Sequence, residues 1–248
     1  MGIRETNCLN IVKEKINKKS FHVLSQADIN NIEELLSSAV DNDGKTTPFP
    51  DFISSNGFIE HFEVSSGKMT RKGYYNKRKR SDIEKNNTNT LDQNQNQPLS
   101  SSGFIRDNEG VELFNKSFIE KWNKHIDSLH KYTGSKHFSC FLIQSDDVIY
   151  TALNPRINDQ YASINYEIGN LLENHIDYPH FYISHNIELL DFIQNYSDEV
   201  DYCIFINGFG ELDIIHLKKI PIIKNILSGY NITHACGLSL EICHTIRL

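Results

Sequence analysis

Asn56-Gly57, set between two β-rich apolar runs, limits what this chain can fold into more than any other dipeptide in it. A two-residue type I′ turn needs φ > 0 at both central positions, which Asn and Gly tolerate. Phe52 and Ile53 precede the pair, and Phe58, Ile59, Phe62 and Val64 follow it. The stretch therefore reads as a tight β-hairpin in which Ser55 pairs with Phe58, Ile53 with Glu60, and Asp51 lies opposite Phe62. Side chains alternate along a strand, and directly opposed residues share a face. One face then holds Asp51, Ile53, Glu60, Phe62 and Val64; the other holds Phe52, Ser54, Ile59, His61 and Glu63. Asp51 and Glu60 become near-diagonal neighbours, close enough to share a cation. A slip of one residue would part them.

Their shared face also carries Ile53, Phe62 and Val64, so it is partly buried. A carboxylate there is costly unless a metal or a partner compensates it. Directly after the hairpin comes a dense block of positive charge. Of the 25 Lys and Arg in 248 residues, seven crowd into residues 68–80, which hold no Asp or Glu. The net charge of −7 thus hides an acidic body with one basic arm, an arrangement suited to meeting a polyanion at a single place. Converging carboxylates for a divalent metal, beside cations for a nucleic-acid backbone, point to a metal-dependent nuclease. A half-solvated hairpin followed by a solvated charge run is the plain alternative.

Pro50-Asp51, answered nine residues later and across the hairpin by Glu60, resembles the PD-(D/E)xK, or restriction-endonuclease-like, nuclease superfamily. There a Pro-Asp on one strand faces an acid-x-Lys on its neighbour. The lysine position here is Phe62, which leaves Lys68 or Lys72 to supply a displaced lysine. The resemblance covers about residues 25–80. It implies Mg²⁺ held by Asp51, Glu60 and the backbone carbonyl of His61, with Glu33 of the first helix as a further approach to the ion. Bound there, Mg²⁺ would lower the pKa of an attacking water and offset charge on the phosphate, with a lysine nearby to steady that charge. The implied activity is endonucleolytic hydrolysis of DNA phosphodiester bonds, in restriction or phage defence. Arg71, Lys72, Lys77, Arg78, Lys79 and Arg80 would contact the backbone, and RNA offers the same charge. Cutting a palindrome needs two active sites, hence a homodimer. Phe62 favours the rival reading, a non-catalytic nucleic-acid-binding or regulatory protein that keeps the fold.

The remaining pattern indicates an α/β fold, a mixed β-sheet with flanking helices around a restriction-endonuclease-like core, in one domain over residues 1–248. Residues 68–103 form an insertion, basic and then polar, whose polar part cannot bury enough apolar surface to order itself. Ser25-x-x-Asp28 opens a helix with Ile29, Ile32, Leu36 and Val40 on one face. Residues 109–131 read as a helix striped by Phe114, Phe118, Trp122, Ile126 and Leu129. Strands are expected at 137–144, 148–153, 181–184, 202–207 and 212–217, and helices at 161–174 and 186–196. Pro221 is placed to open another helix, and 237–245 reads as helical. Five scattered cysteines suit a reducing compartment. With no signal peptide and no 18-residue apolar run, the expectation is a cytoplasmic protein without a membrane partner.

Overall fold

Ser25 and Asp28 cap the first expected helix reciprocally. The Asp28 amide donates to the Ser25 hydroxyl at 3.3 Å, and the Ser25 amide donates to the Asp28 carboxylate at 2.7 Å. These contacts come from a computed structural model that describes residues 3–16, 23–42, 49–66, 100–105, 110–134, 137–155, 180–236 and 238–243. A helix that the sequence reading passed over, α1 (Ile3–Lys15), precedes the capped one, α2 (Gln26–Ser37). Then come β1 (Val40–Asp41), β2 (Phe52–Ser54), β3 (Gly57–Glu63), β4 (Ser100–Ile105) and α3 (Gly110–Lys131). β5 (Phe138–Gln144), β6 (Ile149–Pro155), α4 (Ile187–Gln194), β7 (Tyr202–Ile206) and β8 (Leu212–His216) follow. α5 (Ile220–Leu227), with Pro221 in its first turn, β9 (Tyr230–Cys236) and β10 (Leu238–Cys243) complete the described chain.

Six strands form one mixed sheet in the order β1-β2-β3-β5-β7-β8. β1, β2 and β3 run antiparallel in turn, β3, β5 and β7 run parallel, and β8 returns antiparallel to β7. β5 and β7 are buried on both faces, which is why FSCFLIQ and YCIFI show no polar alternation. On one side Phe58, Phe62, Phe141, Phe205 and Ile215 pack under α3, α4 and α5. On the other Ile59, Cys140, Leu142, Ile204 and Ile214 pack under α1 and α2. The expected α3 stripe, Phe114, Phe118, Trp122, Ile126 and Leu129, is buried throughout. Two antiparallel ribbons, β6–β9 and β4–β10, stand apart from the main sheet.

The hairpin forms, but two residues out of the expected register. Phe52 pairs with Ile59, Ile53 with Phe58, and Ser54 with Gly57, so the turn is Ser55-Asn56. No described residue other than glycine has positive φ, so the turn is not type I′. Gly57 lies inside the strand instead. A Cβ there would fall 1.9 Å from the Phe138 carbonyl oxygen, and the Phe138 amide donates to the Asn56 carbonyl at 2.9 Å. Close approach of β5 is what demands glycine. Because the shift is even, every side chain keeps its face.

Other expectations also give way. Val40 is 63% exposed in β1, and Leu35 takes its place in the core. Residues 181–184 form no strand: a 3-10 turn (Ile183–His185) follows an isolated bridge at His180. The run Phe181-Tyr182-Ile183 is apolar but too short for periodicity to decide. Residues 237–245 read as helical, yet β10 occupies 238–243, and β9 precedes it. Burial alternates along 230–234 as a strand requires, with Tyr230 buried and Asn231 and Thr233 exposed. β4 claims residues 100–103 of the tract expected to stay unordered, by pairing with β10. The helix expected at 161–174 lies outside the described residues. Among those described, no helix is long and apolar enough to cross a membrane.

Candidate metal centre

Extending the observed pairing by one step puts Asp51 directly opposite Glu60, where the expected register made them diagonal. Each acid is held by the other's strand. The Asp51 amide donates to Glu60 Oε2 at 3.1 Å, and the His61 amide donates to Asp51 Oδ2 at 2.8 Å. Glu60 is 5% exposed and Asp51 half-buried, so the pair opens to solvent on the Asp51 side. A residue's N–H and C=O point to the same neighbouring strand. The His61 carbonyl therefore leaves β3 on the same side as its amide, the side of β2.

Both carboxyls hold their protons far above the usual range. Burial pushes Asp51 up to about 7, with the charge of Glu60 adding to it and the His61 amide opposing. Burial pushes Glu60 up to about 8, against the hydrogen bonds it shares with Asp51. Two carboxyls in contact and shielded from water cannot both ionise cheaply. They share a proton near neutral pH, and a divalent cation is the natural replacement for it. Two acids and a strand carbonyl suit Mg²⁺, which keeps several waters of its own. Among the described residues, no three carboxylate, imidazole or thiol groups converge as a ready-made cage.

α3 and α1 bring in groups that the hairpin motif does not contain. His125 Nδ1 lies 2.6 Å from Glu60 Oε1, and its ring lies flat on Phe62, with centroids 4.4 Å apart and planes at 11°. Burial pushes His125 down to about 4, so the contact with Glu60 is a hydrogen bond between neutral groups rather than an ion pair. One turn earlier, Lys121 Nζ donates to the Glu63 carbonyl at the end of β3. Glu5 of α1 adds negative charge felt by Asp51, Glu60 and His61. Lys121 and His125 are four apart on one helix and flank the apolar stripe. That spacing was visible in the sequence, but nothing local tied it to a hairpin some sixty residues away.

The structure brings Asp51, Glu60 and the His61 backbone together. The His61 side chain points to the opposite face, toward Gln144, where burial lowers its pKa. Glu33 is not brought in: it is half-buried on α2, which covers that opposite face. The helical glutamate nearest the pair in effect is Glu5. Lys68, Arg71, Lys72, Lys77, Arg78, Lys79 and Arg80 lie outside the described residues. A cavity of about 320 Å³ lined by Asn7, Cys8, Ile11, Glu63, Gln144 and Asp146 lies on the α1 side and does not contain the pair. The chain matches no family model, no curated protein and no solved structure.

Proposed function

We propose that this protein is a Mg²⁺-dependent endonuclease acting on DNA phosphodiester bonds, with Asp51 and Glu60 as metal ligands. The observation that carries the reading is the meeting of two carboxyls, one on either strand of the hairpin, in a site that disfavours their charge. The order α2-β1-β2-β3-β4-α3-β5 supports it, with β3 antiparallel to β2 and parallel to β5 and with β4 at the end of the insertion. It is the succession of helix, hairpin, insertion, helix and strand that the PD-(D/E)xK resemblance implies. Mg²⁺ would supply the positive charge that activates a water and offsets charge on the phosphate. The His61 amide orients Asp51, and the Asp51 amide orients Glu60. Among the described lysines, Lys121 reaches the end of β3 and joins Lys68 and Lys72 in line for the lysine role. The basic arm would neutralise backbone phosphates.

Incubation of plasmid with the protein and Mg²⁺, Mn²⁺ or EDTA tests the reading. Nicking should require metal and vanish in Asp51→Ala and Glu60→Ala. Phe62, which stands where the resemblance places lysine, favours a second reading, a nucleic-acid-binding protein without catalysis. Salt-sensitive retention on DNA with no nicking in any metal would establish that reading instead.

A further inference from the structure

The geometry points to His125 as the positioning residue of this site, donating from Nδ1 to hold the Glu60 carboxylate, while Phe62 serves as the shelf that holds His125. The inference rests on Asp51 and Glu60 being metal ligands, and it gives a use to the aromatic ring that replaces the expected lysine. Glu60 Oε1 meets His125 Nδ1 at 2.6 Å, and Oε2 receives the Asp51 amide at 3.1 Å. Each oxygen is thus tethered from a different element, one by α3 and one by the start of β2. A carboxylate has about four lone-pair sites, so both oxygens keep capacity for an ion.

The imidazole is itself fixed. Its ring lies parallel on Phe62, and its helix is anchored by Trp122 and Ile126, both buried. A flat aromatic face at position 62 fixes the ring plane, which a flexible lysine stem would not do. With its partner so restrained, Glu60 loses little rotamer freedom when an ion arrives. Groups that hold a ligating side chain in this way are worth about 10–100-fold in metal affinity.

Three variants separate donation from packing. His125→Ala removes both, His125→Phe keeps the stack on Phe62 without a donor, and His125→Asn places an amide nitrogen close to where Nδ1 stands. Calorimetric titration with Mn²⁺ alone, beside thermal unfolding of each metal-free variant, is the readout. His125→Ala and His125→Phe are expected to bind Mn²⁺ about 10–100-fold more weakly than wild type, with His125→Asn recovering most of the loss. A folded His125→Phe that binds as tightly as wild type overturns the positioning role, as does a folded His125→Asn no better than His125→Ala. If His125→Ala fails to fold, the comparison of Phe with Asn still decides. Wild-type protein that binds no Mn²⁺ overturns the metal reading itself, and this inference with it.

Discussion

Removing the charge from Glu60 should stabilise the protein above neutral pH and do little below it. Glu60 is 5% exposed and holds its proton up to about 8, against an ordinary value of 4.5. A carboxyl whose folded-state pKa is raised keeps a proton that the unfolded chain gives up. Its contribution to stability is whole below about 4.5 and is lost as the pH climbs through about 8. At about 1.4 kcal/mol per tenfold change in a proton equilibrium, the ceiling for Glu60 is on the order of 5 kcal/mol. Water reaching the pair past Asp51, and the proton the two acids share, cut this to roughly 2–3 kcal/mol. Glu60→Gln keeps an acceptor for the Asp51 amide without charge. It is expected to match wild type near pH 5 and to exceed it by roughly 2–3 kcal/mol near pH 9. For a chain of this size that is about 5–10 °C in Tm. Trp122, the only tryptophan, is fully buried and reports unfolding by fluorescence. Urea titrations in EDTA across this pH range measure the difference. Parallel loss of stability in both proteins, or a Glu60→Gln protein weaker than wild type near pH 9, would refute the reasoning.

Mn²⁺ affinity should rise as the pH passes through the range where Asp51 and Glu60 lose their protons, with about one proton released per ion bound; calorimetry in buffers of different ionisation enthalpy measures it, and pH-independent binding would contradict the shared proton. Gly57→Ala should cost about 1–3 kcal/mol, because its Cβ would lie 1.9 Å from the Phe138 carbonyl oxygen and force β3 from β5. An unchanged urea midpoint would show that the two strands are not so closely apposed. Lys121→Met should slow plasmid nicking about 10²–10³-fold while leaving Mn²⁺ affinity near wild type; a loss of that size in Lys68→Ala or Lys72→Ala instead would assign the role to the basic arm.

The faces of the hairpin were legible because side-chain alternation survives any even shift of register. The register itself was not, since Gly57 answers to the Phe138 backbone rather than to its own turn. Asn56-Gly57 looked like a local signal, but its glycine serves a long-range contact. The α3 stripe could be read from spacing alone, and all five of its residues are buried. Val40 fitted the helical period of α2 only by continuing it past Ser38, which caps that helix. β9 was missed because Cys, His and Gly obscure its period-two pattern, which shows in the burial along 230–234. In the site, Asp51 and Glu60 were legible because they are nine residues apart on paired strands. His125, Lys121 and Glu5 were not, since only the packing of α3 and α1 on the sheet brings them near. Glu33 drew attention by preceding the hairpin, yet its helix covers the opposite face.

Anomalous scattering from a crystal grown at pH 8 or above with Mn²⁺ would test the central claim most directly. The expected result is a peak between the carboxylates of Asp51 and Glu60, within reach of the His61 carbonyl, and none there in Glu60→Gln. Mn²⁺ bound only elsewhere, with those two carboxyls still sharing a hydrogen bond, would contradict it.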